Sequence, residues 1–219
     1  MWPLNLVRDL PKRSGRLLAV LAAGTDLRGM KILVYWIYAS CWYVFDIIGG
    51  PELAQIVIRT LTKTRSLSTE ELMTAKTVLG PDAIRFRDVR IAMDGLLLPF
   101  FRMNRNRAFA TWHTINLPAS KASNISLMVH ELTHVYQYEK VGSLYISQGL
   151  WAQFRFGRQA YDYGGADGLL AGRAAGKRLN DYNREQQSQI AQDYISLLQN
   201  DRDIEAYSPF IRELQGGLI

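Results

Sequence analysis

The chain of 219 residues is poor in sulfur and imidazole, with one cysteine, Cys41, and three histidines, His113, His130 and His134. A single cysteine excludes a disulfide framework and a cysteine-ligated zinc finger. Any metal site must therefore come from those imidazoles and from carboxylates. Long apolar runs are missing too. The uncharged stretch Ile32 to Phe45 has 14 residues, short of the roughly 20 that a helix needs to cross a bilayer. Acidic residues are outnumbered, 20 Asp and Glu against 26 Lys and Arg, for a net charge of +6. The excess is uneven: the first 63 residues hold eight Lys/Arg and four Asp/Glu, the remainder 18 and 16. That balance fits nucleic acid, an anionic membrane surface, or simply a basic protein. No nucleic-acid recognition motif accompanies it, so nucleic acid is not an expected partner.

Aromatic side chains are plentiful, with 8 Phe, 5 Trp and 11 Tyr in a chain that is 48% hydrophobic. Disorder is excluded, because enough apolar surface exists to build a core. The length suits one domain, or one domain with an extension. We divide it at residue 63, into a helical, apolar, basic N-terminal extension (1–63) and a metal-binding domain (64–219). Lys12, Arg13 and Arg16 precede the apolar stretch Leu17 to Ala23 and imitate a signal peptide. Asp9 and the weak cleavage site argue against one. Ile32 to Phe45 reads as a core helix, or as an interfacial anchor rich in Trp and Tyr beside basic residues. Gly49-Gly50-Pro51 breaks the chain, and a short helix is expected from Glu52 to about Thr62.

Ser68-Thr69-Glu70-Glu71 is a capping box that opens a helix with Leu72, Ala75 and Val78 or Leu79 on one face, ended by Gly80-Pro81. Ile84 to Arg87 alternates with period two, and Val89 and Ile91 extend it as an irregular strand. Leu96 to Met103 and Ala108 to Leu117 are further strands, around a polar turn at Asn104 to Arg107. Arg102, Arg105 and Arg107 there suit an anion or, more simply, a solvated hairpin tip. The next helix starts at Ser123 or Asn124 and carries His130-Glu131-Leu132-Thr133-His134. Histidines at i and i+4 lie on one helical face and can reach one ion. Glu131 sits beside that ion, placed to take a proton from water activated there.

A catalytic zinc site needs a third protein ligand. No histidine follows His134, so the third ligand is a carboxylate further on, or His113. His113 itself reads best as a strand residue. Asn180 to Tyr194 has helical spacing. Glu185 falls in its first turn, and Gln189 and Asp193 share its side, where they could orient a histidine. Gly164 to Gly176 reads as a mobile connection.

Three blocks now carry a resemblance. They are Arg65 to Leu72 with Val78 to Ile91; His130 to Gln137; and Tyr161 to Tyr163 with Asp181 to Gln187 and Gln192 to Tyr194. Together they resemble the small gluzincin-like zinc-metallopeptidase-like proteins encoded beside bacterial contractile secretion (Vgr/Rhs) elements, over about residues 64–200. The resemblance implies an α+β, zincin-like fold. A small antiparallel sheet would precede the His-Glu-x-x-His helix and a second ligand-bearing helix. It also implies Zn2+ held by His130, His134 and Glu185, with Glu131 as general base. The rivals for the third place are Asp181, Asp193 and Glu139. Gln189 stands where larger relatives carry an Asp. The expected activity is hydrolysis of a peptide or amide bond in a peptide or protein substrate. Tyr161, Tyr163 and Tyr207 are candidates to steady the oxyanion or, more simply, packing residues in an aromatic-rich chain. A bacterial protein is implied, cytoplasmic or peripheral to a membrane, or a secreted effector, with a secretion-system component as a further partner. The competing reading is a non-catalytic, zinc-stabilised accessory protein.

Overall fold

A computed structural model describes residues 2–23, 30–93 and 107–219. The fold is α+β, mostly helical, with a small four-stranded sheet. Three helices come first: α1 (Trp2–Ala23), α2 (Met30–Ile47) and α3 (Gly50–Leu61). Strand β1 (Lys63–Arg65), helix α4 (Thr69–Leu79) and strand β2 (Arg90–Met93) follow. A hairpin of β3 (Phe109–Thr111) and β4 (Thr114–Leu117) leads to α5 (Ile125–Val141), the helix with the His-Glu-x-x-His motif. Then come α6 (Leu144–Phe156), α7 (Gly165–Ala174), α8 (Arg184–Gln199) and α9 (Ser208–Gln215).

The sheet order is β1-β2-β4-β3. It is mixed, not antiparallel as expected. The hairpin docks through its second strand, so that β4 runs parallel to β2 with Ile91 opposite Ile115, while β1 and β3 flank them antiparallel. Ile84 to Asp88 is not a strand either. It forms a turn and a short 3-10 segment, Phe86–Asp88, and pairing starts at Arg90. Gly164 to Gly176, expected to be a loose connection, contains α7. Gly164 and Gly165 adopt positive φ at its start, a conformation glycine reaches without strain. The expected strand Leu96 to Met103 and the residues Arg102 and Arg105 lie outside the described residues.

Local signals act as expected where the caps are concerned. Ser68 accepts from Glu71 N at 3.2 Å and donates its own N–H to the Glu71 carboxylate at 2.7 Å. Asn124 caps α5 by accepting from Leu127 N at 2.8 Å. The main core joins Ala75, Val78 and Leu79 of α4, Ile91, Ile115 and Leu117 of the sheet, and Met128, Leu132 and Val135 of α5 with Ile190 of α8 and Phe210 of α9. Helix α5 is enclosed on several sides and is buried without interruption from Met128 to Tyr138.

Polar contacts tie α1–α3 to α5. Arg13, 3% exposed, donates to Glu52 of α3, to the Asp46 carbonyl of α2 and to the Tyr138 hydroxyl of α5. Asp46 accepts from the backbone and side chain of Ser143, and the Ser143 hydroxyl accepts from Trp112 Nε1 at 2.7 Å. His113 lies in the β3–β4 turn, after Trp112 at φ 54°, and not within a strand. Its Nε2 meets Glu139 Oε1 at 2.8 Å, and Arg85 N donates to the same oxygen at 3.0 Å.

Two consequences can be measured. Arg13→Ala leaves the Glu52 carboxylate buried without its cation and the Asp46 carbonyl without its donor, so it should lower stability by about 3–5 kcal/mol in urea unfolding, the usual cost of breaking a buried pair. Glu139 supplies a pH signature. Burial alone would raise it above its ordinary value of 4.5, but His113 and then Arg85 bring it down to about 2. The folded state thus binds this proton more weakly than the unfolded chain. The stabilisation is full above pH ~4.5 and is lost as pH falls toward ~2. In Glu139→Gln, the difference in unfolding free energy between about pH 5 and pH 3 should be smaller than in the parent chain.

Candidate metal centre

The 3.6-residue period of α5 sets His130 and His134 one turn apart, with ring centroids 5.0 Å from each other. Helix α8 brings the third group. Asn183 caps it by accepting from Glu185 N at 2.9 Å and Gln186 N at 3.0 Å, and Gln186 Oε1 returns the contact to Asn183 N at 3.0 Å. This capping box fixes Glu185 in the first turn, facing α5. Glu185 Oε2 lies 3.5 Å from His130 Nε2 and 3.4 Å from His134 Nε2. The three side chains are buried, and their ligand atoms lie within 4.8 Å of one another, so the group could hold a metal ion.

The structure thus brings together His130, His134, Glu131 and Glu185 and separates the rivals. His113 and Glu139 are occupied with each other. Asp181 accepts from Arg178 N at 2.8 Å. Asp193 accepts from the Tyr163 hydroxyl at 2.5 Å and from Gln189 Nε2 at 2.8 Å. Gln189 and Asp193 therefore pair with each other instead of orienting a histidine. Tyr163 and Tyr207 share a hydrogen bond at 3.1 Å. Of the three tyrosines, Tyr161 lines the cavity of about 270 Å3 that holds the centre.

Residues that the motif did not reveal set the histidine chemistry. Gln187 Nε2 donates to the carbonyls of Leu179 at 3.2 Å and Tyr182 at 2.9 Å, so its Oε1 must accept. It accepts from Gln137 Nε2 at 3.1 Å, and Gln137 Nε2 also donates to the Arg184 carbonyl at 3.0 Å. Gln137 Oε1 is then left facing His134 Nδ1 at 2.8 Å. An acceptor there requires a proton on His134 Nδ1, which makes Nε2, the nitrogen facing Glu185, the one a metal ion could take. The sequence held one signal for this: Gln137 follows His134 by three residues, on the same helical face. Helix α6 supports the carboxylate. Gln153 Nε2 donates to Glu185 Oε1 at 2.8 Å, and a Cβ on Gly149 would stand 3.0 Å from that oxygen. Only glycine leaves the carboxylate its full room there.

The electrostatics follow from burial and from opposite charges. Burial would raise Glu185, but His134 and His130 hold it well below the ordinary carboxylate range. Burial would lower His134, yet the Glu185 carboxylate lifts it to about 9. Both directions have one cause, the attraction between the imidazoles and the Glu185 carboxylate. Glu131 behaves oppositely. Its burial outweighs the nearby histidines and raises it. Its Oε2 is buried and has no partner among the described residues, and Glu131 lines the cavity. Tyr161 lies against His130, ring centroids 6.0 Å apart, and carries the Arg107 guanidinium over its face at 5.8 Å. Burial raises the Tyr161 hydroxyl, and Glu185 adds to the rise.

Glu185→Ala should abolish stoichiometric uptake of a divalent metal measured by metal analysis, whereas Asp193→Ala should retain it. Gln137→Leu removes the acceptor at His134 Nδ1 and should weaken metal binding by about 10–100-fold in a chelator competition.

No protein-family model, curated protein or solved structure matches the chain, and a functional reading therefore rests on the site itself.

Proposed function

We propose that the chain is a zinc-dependent hydrolase of peptide or amide bonds. One observation carries this reading: two histidines and a glutamate converge in an open cavity, with a second glutamate, Glu131, beside them and not in their donor set. Two imidazoles and one carboxylate, with room for a further ligand, suit zinc of the catalytic type. The same donors serve non-haem iron, but an adjacent carboxylate with a raised pKa favours hydrolysis, which needs a base. When bound, zinc would polarise the scissile carbonyl and lower the pKa of water toward ~7.

The remaining steps belong to the chain. His130, His134 and Glu185 would hold the ion. Glu131, buried and raised, takes the proton of the attacking water and hands it to the leaving amine. Tyr161 stays protonated at neutral pH and can donate to the oxyanion that develops on the carbonyl. Phe109, Ala110 and Thr111 of β3 line one wall of the cavity, where a peptide substrate would lie. Arg107 at the same wall can hold a carboxylate of that peptide. The link to bacterial secretion elements rests on the sequence resemblance alone.

The test is Glu131→Gln, assayed on a mixed peptide library with metal content measured in parallel. Zinc should stay near one per chain, while hydrolysis falls by roughly 10²–10⁴-fold, the usual worth of general acid–base help. Hydrolysis unchanged in this variant would remove the mechanism.

A further inference from the structure

Helices α2 and α3 distribute polarity in reverse. On α2, Trp36, Ala39, Tyr43 and Asp46 face inward. Trp36 Nε1 donates to the Val20 carbonyl at 2.9 Å, and Asp46 is fully buried. The opposite stripe, Val34, Ile37, Tyr38, Cys41, Val44 and Ile48, recurs at helical spacing, is exposed, and carries no charge. On α3 the inversion is sharper. Its two charged residues turn in, Glu52 onto Arg13 and Arg59 onto Thr114 Oγ1 at 2.9 Å and the carbonyls of Asp88 and His113. Leu53, Ile56, Val57 and Leu61 turn out, each between 43 and 60% exposed. A water-facing helix does the opposite, because burying charge is costly and exposing apolar surface gains nothing.

We propose that the outward faces of α2 and α3 lie in the interface of an anionic lipid bilayer. Three further observations select lipid as the occupant. No single described helix is long and apolar enough to cross a membrane, but Leu33–Ile47 and Gly50–Leu61 pass together on length and composition, bent by 64° at the break. Such a bent pair suits a helix–turn–helix lying in the interface better than a straight crossing. Arg13 and Arg59 point inward, but Lys63, just after α3, is exposed beside the apolar face, complementary to acidic headgroups. The exposed faces hold Tyr35 and Tyr38, residues that favour the membrane–water boundary. The proposal stands independently of hydrolysis, since none of these residues touches the metal centre.

The experiment is flotation of the full chain with vesicles of phosphatidylcholine, with or without phosphatidylglycerol. The parent chain should float with the anionic vesicles and much less with neutral ones, and raised salt should release part of it. The paired exposed substitutions Ile37→Glu with Val57→Glu should reduce flotation about tenfold or more. Met73→Glu, exposed on α4, should not. Circular dichroism and zinc content should be unchanged in both variants, which separates this outcome from loss of the metal site. A parent chain that floats with neither vesicle, or a double variant that floats like the parent, would overturn the proposal. So would a concentration-dependent dimer that the double substitution dissolves in the absence of vesicle binding, because the face would then belong to a second copy of the chain.

Discussion

Burying a helix that carries two histidines and a glutamate constrains everything around it. From Met128 to Tyr138, α5 has no water to satisfy its polar groups, and an unpaired buried polar group costs about as much as a lost hydrogen bond or more. Each group therefore needs a partner within the protein. Glu185 of α8 answers both imidazoles, Gln137 answers His134, and Arg13 of α1 answers Tyr138. Thr133 closes on its own helix, donating to the Val129 carbonyl at 2.9 Å. The exceptions are His130 Nδ1 and Glu131 Oε2, and both residues line the cavity.

The relay from Gln187 through Gln137 to His134 shows how orientation reaches the site from a distance. Each amide has one donating and one accepting end, so fixing the first by two carbonyls fixes the rest in turn. A histidine held in one tautomer presents its lone pair without reorganising, and this preorganisation is what outer partners add to metal sites. Helix α6 contributes through absence as well as presence: Gln153 grips the carboxylate while Gly149 makes room for it.

The N-terminal helices obey the same rule on a larger scale. Arg13, Asp46 and Glu52 are charged residues placed inward, and they are tolerated because they pair with one another and with Tyr138 and Ser143. Charge concentrated on that inner side leaves none for the outward faces of α2 and α3. The internal polar network and the external apolar surface are two views of one arrangement.

Local rules made part of this legible in the residues alone. Caps at Ser68 and Asn124, the break at Gly49-Gly50-Pro51, and two histidines on one face of a helix depend on contacts within a few positions, and these survive any tertiary context. Other outcomes were decided only by the assembled fold. A strand pattern does not say which neighbour it pairs with, so the parallel match of β2 and β4 awaited the docking of the hairpin. Periodicity did not tell Glu185 from Asp181 or Asp193, because the three lie close in sequence and only packing of α8 on α5 points one of them at the histidines. The 14-residue uncharged run of α2 was equally consistent with a core and with a surface. The placement of Asp46, Glu52 and Arg59 settled which side of α2 and α3 faces in, since buried charges must sit where their partners are.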